Sequence, residues 1–196
     1  MAVGPTRRRR EEPDLLGAAR EVLTEGGPHG LTIRSIAERA GCSTMPIYRR
    51  FGSKLGVIDA LYREGFDRVL REFESVEATD DPLFDLAALC HVYRATVLGN
   101  RAHYLVMFGR AVPDFEPGEE SRRRAGLVIS EIAAVCERAS ERGALRRQSP
   151  ESLARLVFGL CHGLVSLELE GLGGDQCEDH YELAVASMLR GLAPER

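Results

Sequence analysis

The sequence predicts an all-α chain, and three observations carry that prediction. Apolar residues recur at three- and four-residue spacing almost throughout, the period of a helix with one buried face. Runs of β-branched residues in strict alternation, the usual strand signal, are missing. Helix-opening residues (Ser, Thr, Asp, Pro) and helix-closing glycines punctuate the pattern at the spacing of ordinary helices.

The first helix is expected from about Asp14 to Glu25, with Leu15, Leu16, Ala19, Val22 and Leu23 on one face, and it stops at Gly26-Gly27-Pro28. Thr32 is the expected N-cap of a second helix that carries Ile33, Ile36 and Ala37 inward and ends at Gly41. Ser43 is expected to cap a short third helix through Arg50. After the break at Gly52-Ser53, Ser53 caps a long helix from Lys54 to about Val76.

The pattern restarts after Thr79-Asp80-Asp81-Pro82, where Pro82 suits a first helical turn and Leu83, Leu86, Ala87, Cys90, Tyr93 and Val97 form a stripe. Further helices are expected over about Arg101 to Arg110 and Glu119 to Glu141, on either side of a loop with two prolines. Ser149-Pro150-Glu151 opens a strongly apolar helix to about Glu170, and Asp175 opens the last, which runs to Leu192.

The totals narrow the class. With 196 residues, 44% hydrophobic and 29% charged, the chain is long and apolar enough to bury a core, as a soluble globular protein does. Five scattered cysteines without a CxxC pair read as reduced thiols, which places the chain in the cytoplasm. No stretch is expected to reach the apolar length of a membrane span, and the Arg7 to Arg10 run lacks the apolar segment of a targeting sequence. Net charge is −4, but residues 1 to 60 hold ten Lys and Arg against seven Asp and Glu, a net of +3 that leaves −7 for the rest. A basic end on an acidic body is expected when one part meets phosphate and the other must not.

Residues 31 to 54 alternate helix, Gly41, helix, Gly52 and a capped helix, which is helix-turn-helix spacing. The second of these helices is too short to stand alone and needs Ile47 and Phe51 packed against Ile33, Ile36, Ala37 and the first helix. Thr44, Met45, Tyr48 and Arg49 are then free to enter a major groove. The Arg7 to Arg10 arm is a further, weaker candidate for a phosphate or minor-groove contact.

The run from Gly30 through Ser43, followed by Ile47-Tyr48-Arg49-Arg50-Phe51-Gly52-Ser53-Lys54, resembles the DNA-binding signature of the TetR family. The resemblance implies that Tyr48 and Lys54 contact phosphates and that Arg34, Thr44, Met45 and Arg49 lie at base edges, with Ser43 beside them. It also implies a three-helix DNA-binding domain over 1–53, arm included, and a helical ligand-binding and dimerisation domain over 54–196 whose first helix, 54–76, connects the two.

Two segments of the second half, Asn100 to Arg110 and Phe158 to Leu167, resemble the TetR C-terminal domain named for a Trp-His-Gly triplet, with Cys161 in place of the tryptophan. Tyr93, Tyr104, Met107, Phe108, Phe158, Cys161 and His162 are the candidate lining of a mostly apolar effector site, being aromatic area with a few polar handles. His91, His103 and His162 with Cys90 and Cys161 match no compact metal motif, so no metal and no cofactor are expected. Gly159, Gly163 and Ser166 leave a smooth groove at helical spacing, and with Ala184, Val185, Met188 and Leu189 they suit a four-helix interface between two subunits.

The expected partners are therefore a palindromic double-stranded operator, a small and largely apolar effector and a second copy of the chain, with no membrane. An enzyme is disfavoured: GxSxG, HExxH, a phosphate-cradling glycine loop and paired carboxylates in an apolar setting are all missing from the sequence. A purely structural helical protein would have no use for the basic helix-turn-helix.

Overall fold

The computed structural model describes residues 13–109 and 112–194; the Arg7 to Arg10 arm lies outside them. The described residues are helical, with no strand among them. They fall into two compact units, divided between Val57 and Ile58.

The first unit holds α1 (Leu15–Gly30), α2 (Ile33–Arg39), α3 (Met45–Phe51) and the first turn of α4 (Lys54–Glu74). Asp14 caps α1 by accepting from the Gly17 amide at 2.9 Å. Gly27 interrupts α1 with φ 61° and ψ −171°, and Pro28 opens its last turn. The helical run is thus continuous in extent but broken where Gly26-Gly27-Pro28 predicts. Thr32 caps α2 in a box closed by Ser35, each side chain meeting the other's backbone amide at 2.9–3.0 Å. Leu23, Leu31, Ile36, Ile47 and Val57 are sealed from solvent and form the core of this unit.

Two local expectations change. Thr44, not Ser43, occupies the N-cap position of α3, and it makes no side-chain cap bond. Pro46 explains the shift, since it sits at the second helical position, where its missing N–H costs nothing. Phe51 is half-buried rather than core, with the Arg50 guanidinium 5.2 Å from its ring centre.

The second unit comprises the rest of α4 with α5 (Pro82–Leu98), α6 (Arg101–Met107), α7 (Glu119–Glu141), α8 (Pro150–Leu169) and α9 (Cys177–Leu192). Here α5 is the hub, packing on α6, α7, α8 and α9, while α7 lies along α8 and α8 along α9. Side-chain bonds fasten these layers. Arg94 on α5 forks onto Glu168 on α8 at 2.8 and 2.9 Å, Tyr181 on α9 donates to the Cys90 carbonyl at 2.6 Å, and Arg138 on α7 pairs with Asp85 on α5.

Two helix limits are shorter than expected. α6 ends at Met107, because Phe108 leaves the helical region at φ −132° and ψ −23°. α9 begins at Cys177, two residues after Asp175, since Gln176 still lies outside the helical region at φ −113° and ψ 38°.

The expectation that no segment reaches membrane-span length is also corrected. α8 is 20 residues long with a mean hydropathy of 1.4 over its most apolar window, long and apolar enough to cross a membrane. Its charges, Glu151, Arg155 and Glu168, cluster toward the ends, so the middle reads as one apolar run despite its glycines. The same composition arises in a helix with two protein-facing sides. Leu153, Ala154, Val157, Cys161, Val165 and Leu169 are buried within the chain, whereas Leu156 and Leu167 are exposed.

Candidate functional site

Two sites emerge, one in each unit. In the first, α3 is anchored by Ile47, which has no exposed surface, so its other residues face outward. Met45 is 70% exposed and Tyr48 49%, Arg49 and Ser43 are exposed, and Thr44 is half-buried. Arg34 on α2 is exposed and pairs with Glu38 at 3.0 Å across one helical turn, an arrangement that exchanges readily with water or another anion. Lys54, half-buried, begins α4 just after Ser53, whose hydroxyl accepts from the Gly56 amide at 3.1 Å. Gly56 has no room for a side chain, as its Cβ would lie 1.9 Å from the Phe51 carbonyl oxygen. That close approach brings the start of α4 against the end of α3.

Arg39 braces this unit from behind by reaching across to Glu21 and Glu25 on α1. The side-chain bond from Glu25 holds the guanidinium above its ordinary pKa, and the Glu25 carboxyl is lowered in turn.

In the second unit the structure brings together most of the residues expected to line an effector site. His162 is their centre. Its Nδ1 meets the Tyr93 hydroxyl at 3.0 Å, its ring stacks on Phe158 at 5.7 Å and 6°, and the rings of Phe108 and Tyr104 stand at 4.3 and 5.8 Å. Burial depresses the His162 pKa and raises that of Tyr93. The phenol therefore keeps its proton and the imidazole stays neutral, and the two share one hydrogen bond whose direction follows the imidazole tautomer.

Cys161 is buried beside Tyr93, Phe158 and Cys90, and the Cys90 thiol is pushed up by the neighbouring Cys161 and by burial. Met107 stands beside Tyr104 and Phe108, with its sulfur against Gly65, where a Cβ would come within 2.3 Å.

These residues pack on one another and do not surround a ligand-sized chamber. Two voids of about 10 Å³ flank the cluster, each with room for about one water. One is bounded by Phe73, Cys90, Tyr93, Ile132, Phe158 and Cys161. The other lies among Gly65, Arg68, Asn100, His103, Tyr104 and Met107. A wider cleft of about 600 Å³ opens to solvent beside Tyr62, Met107, Phe108 and Phe115.

Sequence reasoning missed Phe66, which meets Phe108 edge-on at 5.6 Å, and the polar group of Glu64, Arg68 and Asn100. His103, weighed for metal, instead bonds Glu64 through Nε2 at 2.8 Å. The apolar stripe of α4 could have identified Phe66. The partners of Arg68 and Glu64 sit 32 and 39 residues away, and no local pattern announces them.

The buried imidazole has a measurable consequence. His162 is depressed from 6.5 in the folded chain, so the unfolded chain binds its proton more readily. The associated stability is complete above pH 6.5 and is lost as pH falls below it. His162→Phe should therefore flatten the acid limb of the stability profile, measured by urea unfolding between pH 7.5 and 5; parallel profiles for the two proteins would contradict a desolvated His162.

A short helix braced by a buried isoleucine, with its outer face exposed and preceded by a glycine turn, together with a separate all-helical unit, defines a helix-turn-helix transcriptional regulator. Residues 15–61 match the family described as bacterial regulatory proteins, tetR family, and residues 86–192, more than half the chain, match the tetracyclin repressor-like C-terminal domain. The chain belongs to the TetR family and is a DNA-binding transcriptional regulator.

It is 24% identical over 194 residues to the HTH-type transcriptional regulator UidR of Escherichia coli K12, covering 96% of this chain and 93% of that protein. Among solved structures it resembles a protein of unknown function from Rhodococcus sp. RHA1, with a TM-score of 0.78 and 24% identity over 92% of this chain and 94% of the other. It also resembles the TetR family regulator PfmR from Thermus thermophilus, with a TM-score of 0.70 and 18% identity over 93% and 100% of the two chains.

Proposed function

We propose that the protein is a cytoplasmic homodimeric repressor that binds a palindromic operator and leaves it when a small molecule enters the second unit, and that it catalyses no reaction. The observation that carries the DNA half is the contrast on α3 between sealed Ile47 and the exposed Met45, Tyr48 and Arg49. Arg34, Ser43, Thr44, Met45 and Arg49 meet base edges in the major groove, and Tyr48 and Lys54 hold phosphates. The domains in this reading are 1–53 for DNA and 54–196 for ligand and partner.

The dimer half draws on the outer face of α8 and α9, where Leu156, Leu167 and Leu183 are exposed and neither Gly159 nor Gly163 has any atom within 4 Å of where a Cβ would sit. An apolar strip with small residues accepts a partner helix closely, which accounts for the apolarity of α8 without a membrane. The effector half draws on the His162 cluster, where Tyr93, Tyr104, Met107, Phe108, Phe158 and Cys161 offer apolar area and few polar groups.

Gel-shift titration on DNA flanking the gene tests the reading. Tyr48→Phe and Lys54→Ala are expected to weaken operator and random DNA alike and to lower the salt slope, because phosphate contacts carry no sequence information. Arg49→Ala should cost about 1–3 kcal/mol on the operator and much less on random DNA, as a bidentate guanine contact would. Binding unaffected by all three changes would remove α3 from the interface.

A further inference from the structure

Among the described residues, Arg68 of the second unit has no acidic partner. Its Nη1 donates to the Asn100 Oδ1 at 3.1 Å, and its Nε is buried and makes no hydrogen bond. No carboxylate of the described residues lies within ion-pair distance of it, whereas Arg94, Arg138 and Arg124 of the same unit each meet one. Glu64, one turn earlier on α4, is engaged by His103. The C-terminal turn of α5 beside Asn100 supplies at most a partial negative charge. Arg68 is half-buried, and a guanidinium partly withdrawn from water commonly finds a carboxylate or phosphate that matches its planar fork.

The surroundings say what kind of anion fits. Arg68 borders the void lined by Thr96, Asn100 and His103 together with Gly65, Val69, Val97, Tyr104 and Met107, so an anion there meets polar groups and apolar surface together, which suits an amphipathic molecule. Met107 borders both this void and the 600 Å³ cleft that opens to solvent. Its side chain is common to both linings, and it lies where Gly65 leaves room. An unbranched thioether changes rotamer at low cost, and its displacement joins the void to a cleft within the size range of small-molecule sites.

Resting on the reading that this unit takes an effector, we infer that the effector is an amphipathic organic acid. Its carboxylate is held by Arg68 with Asn100 alongside, and its apolar body passes Met107 to lie against Tyr104 and Phe108. The acid completes an ion pair that the chain leaves half made, so the uncharged analogue of the same shape binds less tightly.

The test uses the full-length protein and two pairs of probes below their aggregation limits, decanoate with decan-1-ol and 4-phenylbutanoate with 4-phenylbutan-1-ol, measured by isothermal titration calorimetry. At least one acid is expected to bind tenfold or more tightly than its alcohol. Arg68→Gln should erase that preference, and Arg68→Lys, which keeps the charge but loses the fork, should retain part of it. Should Arg68→Gln fail to fold, Arg68→Lys reads the same contrast.

Acids and alcohols that bind equally, acids that do not bind, or an undiminished preference in both variants would each overturn the inference. Operator binding is measured in parallel. A protein that shifts its operator yet ignores both acids loses this inference alone, whereas one that shifts no flanking DNA loses the proposed function itself.

Discussion

Replacing Asp85 with alanine is expected to destabilise the second unit by about 3 kcal/mol, the low end of the cost of breaking a buried ion pair from one side, because the Arg138 side chain keeps 31% of its surface exposed. Asp85 is 2% exposed. Its carboxylate accepts from the Thr79 amide at 3.1 Å and from the Thr79 hydroxyl at 2.7 Å, and it pairs with Arg138. One side chain thus ties the loop before α5, the first turn of α5 and the C-terminal half of α7. Removing it leaves the Arg138 guanidinium without its anion, and the Arg138 Nε is already buried without a hydrogen bond.

A domain of ordinary stability, about 5–15 kcal/mol, would lose a large share of it. Asp85→Asn should fall between the two, since it can still accept from Thr79. Urea unfolding followed by circular dichroism measures the change, and a loss below about 1 kcal/mol for Asp85→Ala would show that the pair contributes nothing net.

Gly163→Leu should act on assembly and spare the fold. Nothing within the chain lies within 4 Å of a Cβ at Gly163, and leucine in place of a helical glycine favours the helix by up to about 1 kcal/mol. A monomer therefore accommodates the change, whereas a partner helix packed closely on α8 does not. The expected result is a stable monomer by light scattering with operator affinity reduced by on the order of 100-fold, because two linked recognition helices become one. A variant that remains dimeric at low concentration and binds its operator as before would place the interface away from α8.

Features governed by neighbouring residues were legible before the fold was known. The Thr32 cap, the opening of α5 at Pro82, the limits of α7 and the cap of α8 by Ser149 all rest on contacts within about one helical turn. The misplaced N-cap of α3 was a local error of one residue, since Thr44 takes the position without a side-chain cap bond. Residue chemistry singled out the aromatic candidates of the second half, though it could not show that Tyr93 would meet His162, 69 residues later, at hydrogen-bond distance.

Periodicity, capping residues and the charge division were sufficient to determine an all-helical chain with a basic helix-turn-helix at one end, because each depends on residues adjacent in sequence or on simple counts. Which polar side chains are satisfied depends instead on helices brought together from distant parts of the chain. Folding gave Asp85 its Arg138, Glu64 its His103 and Arg68 an amide in place of a carboxylate. It also closed the His162 cluster around two voids of about 10 Å³. Packing at near-crystalline density, where one methylene alters the space that remains, is set only when all the helices are in place.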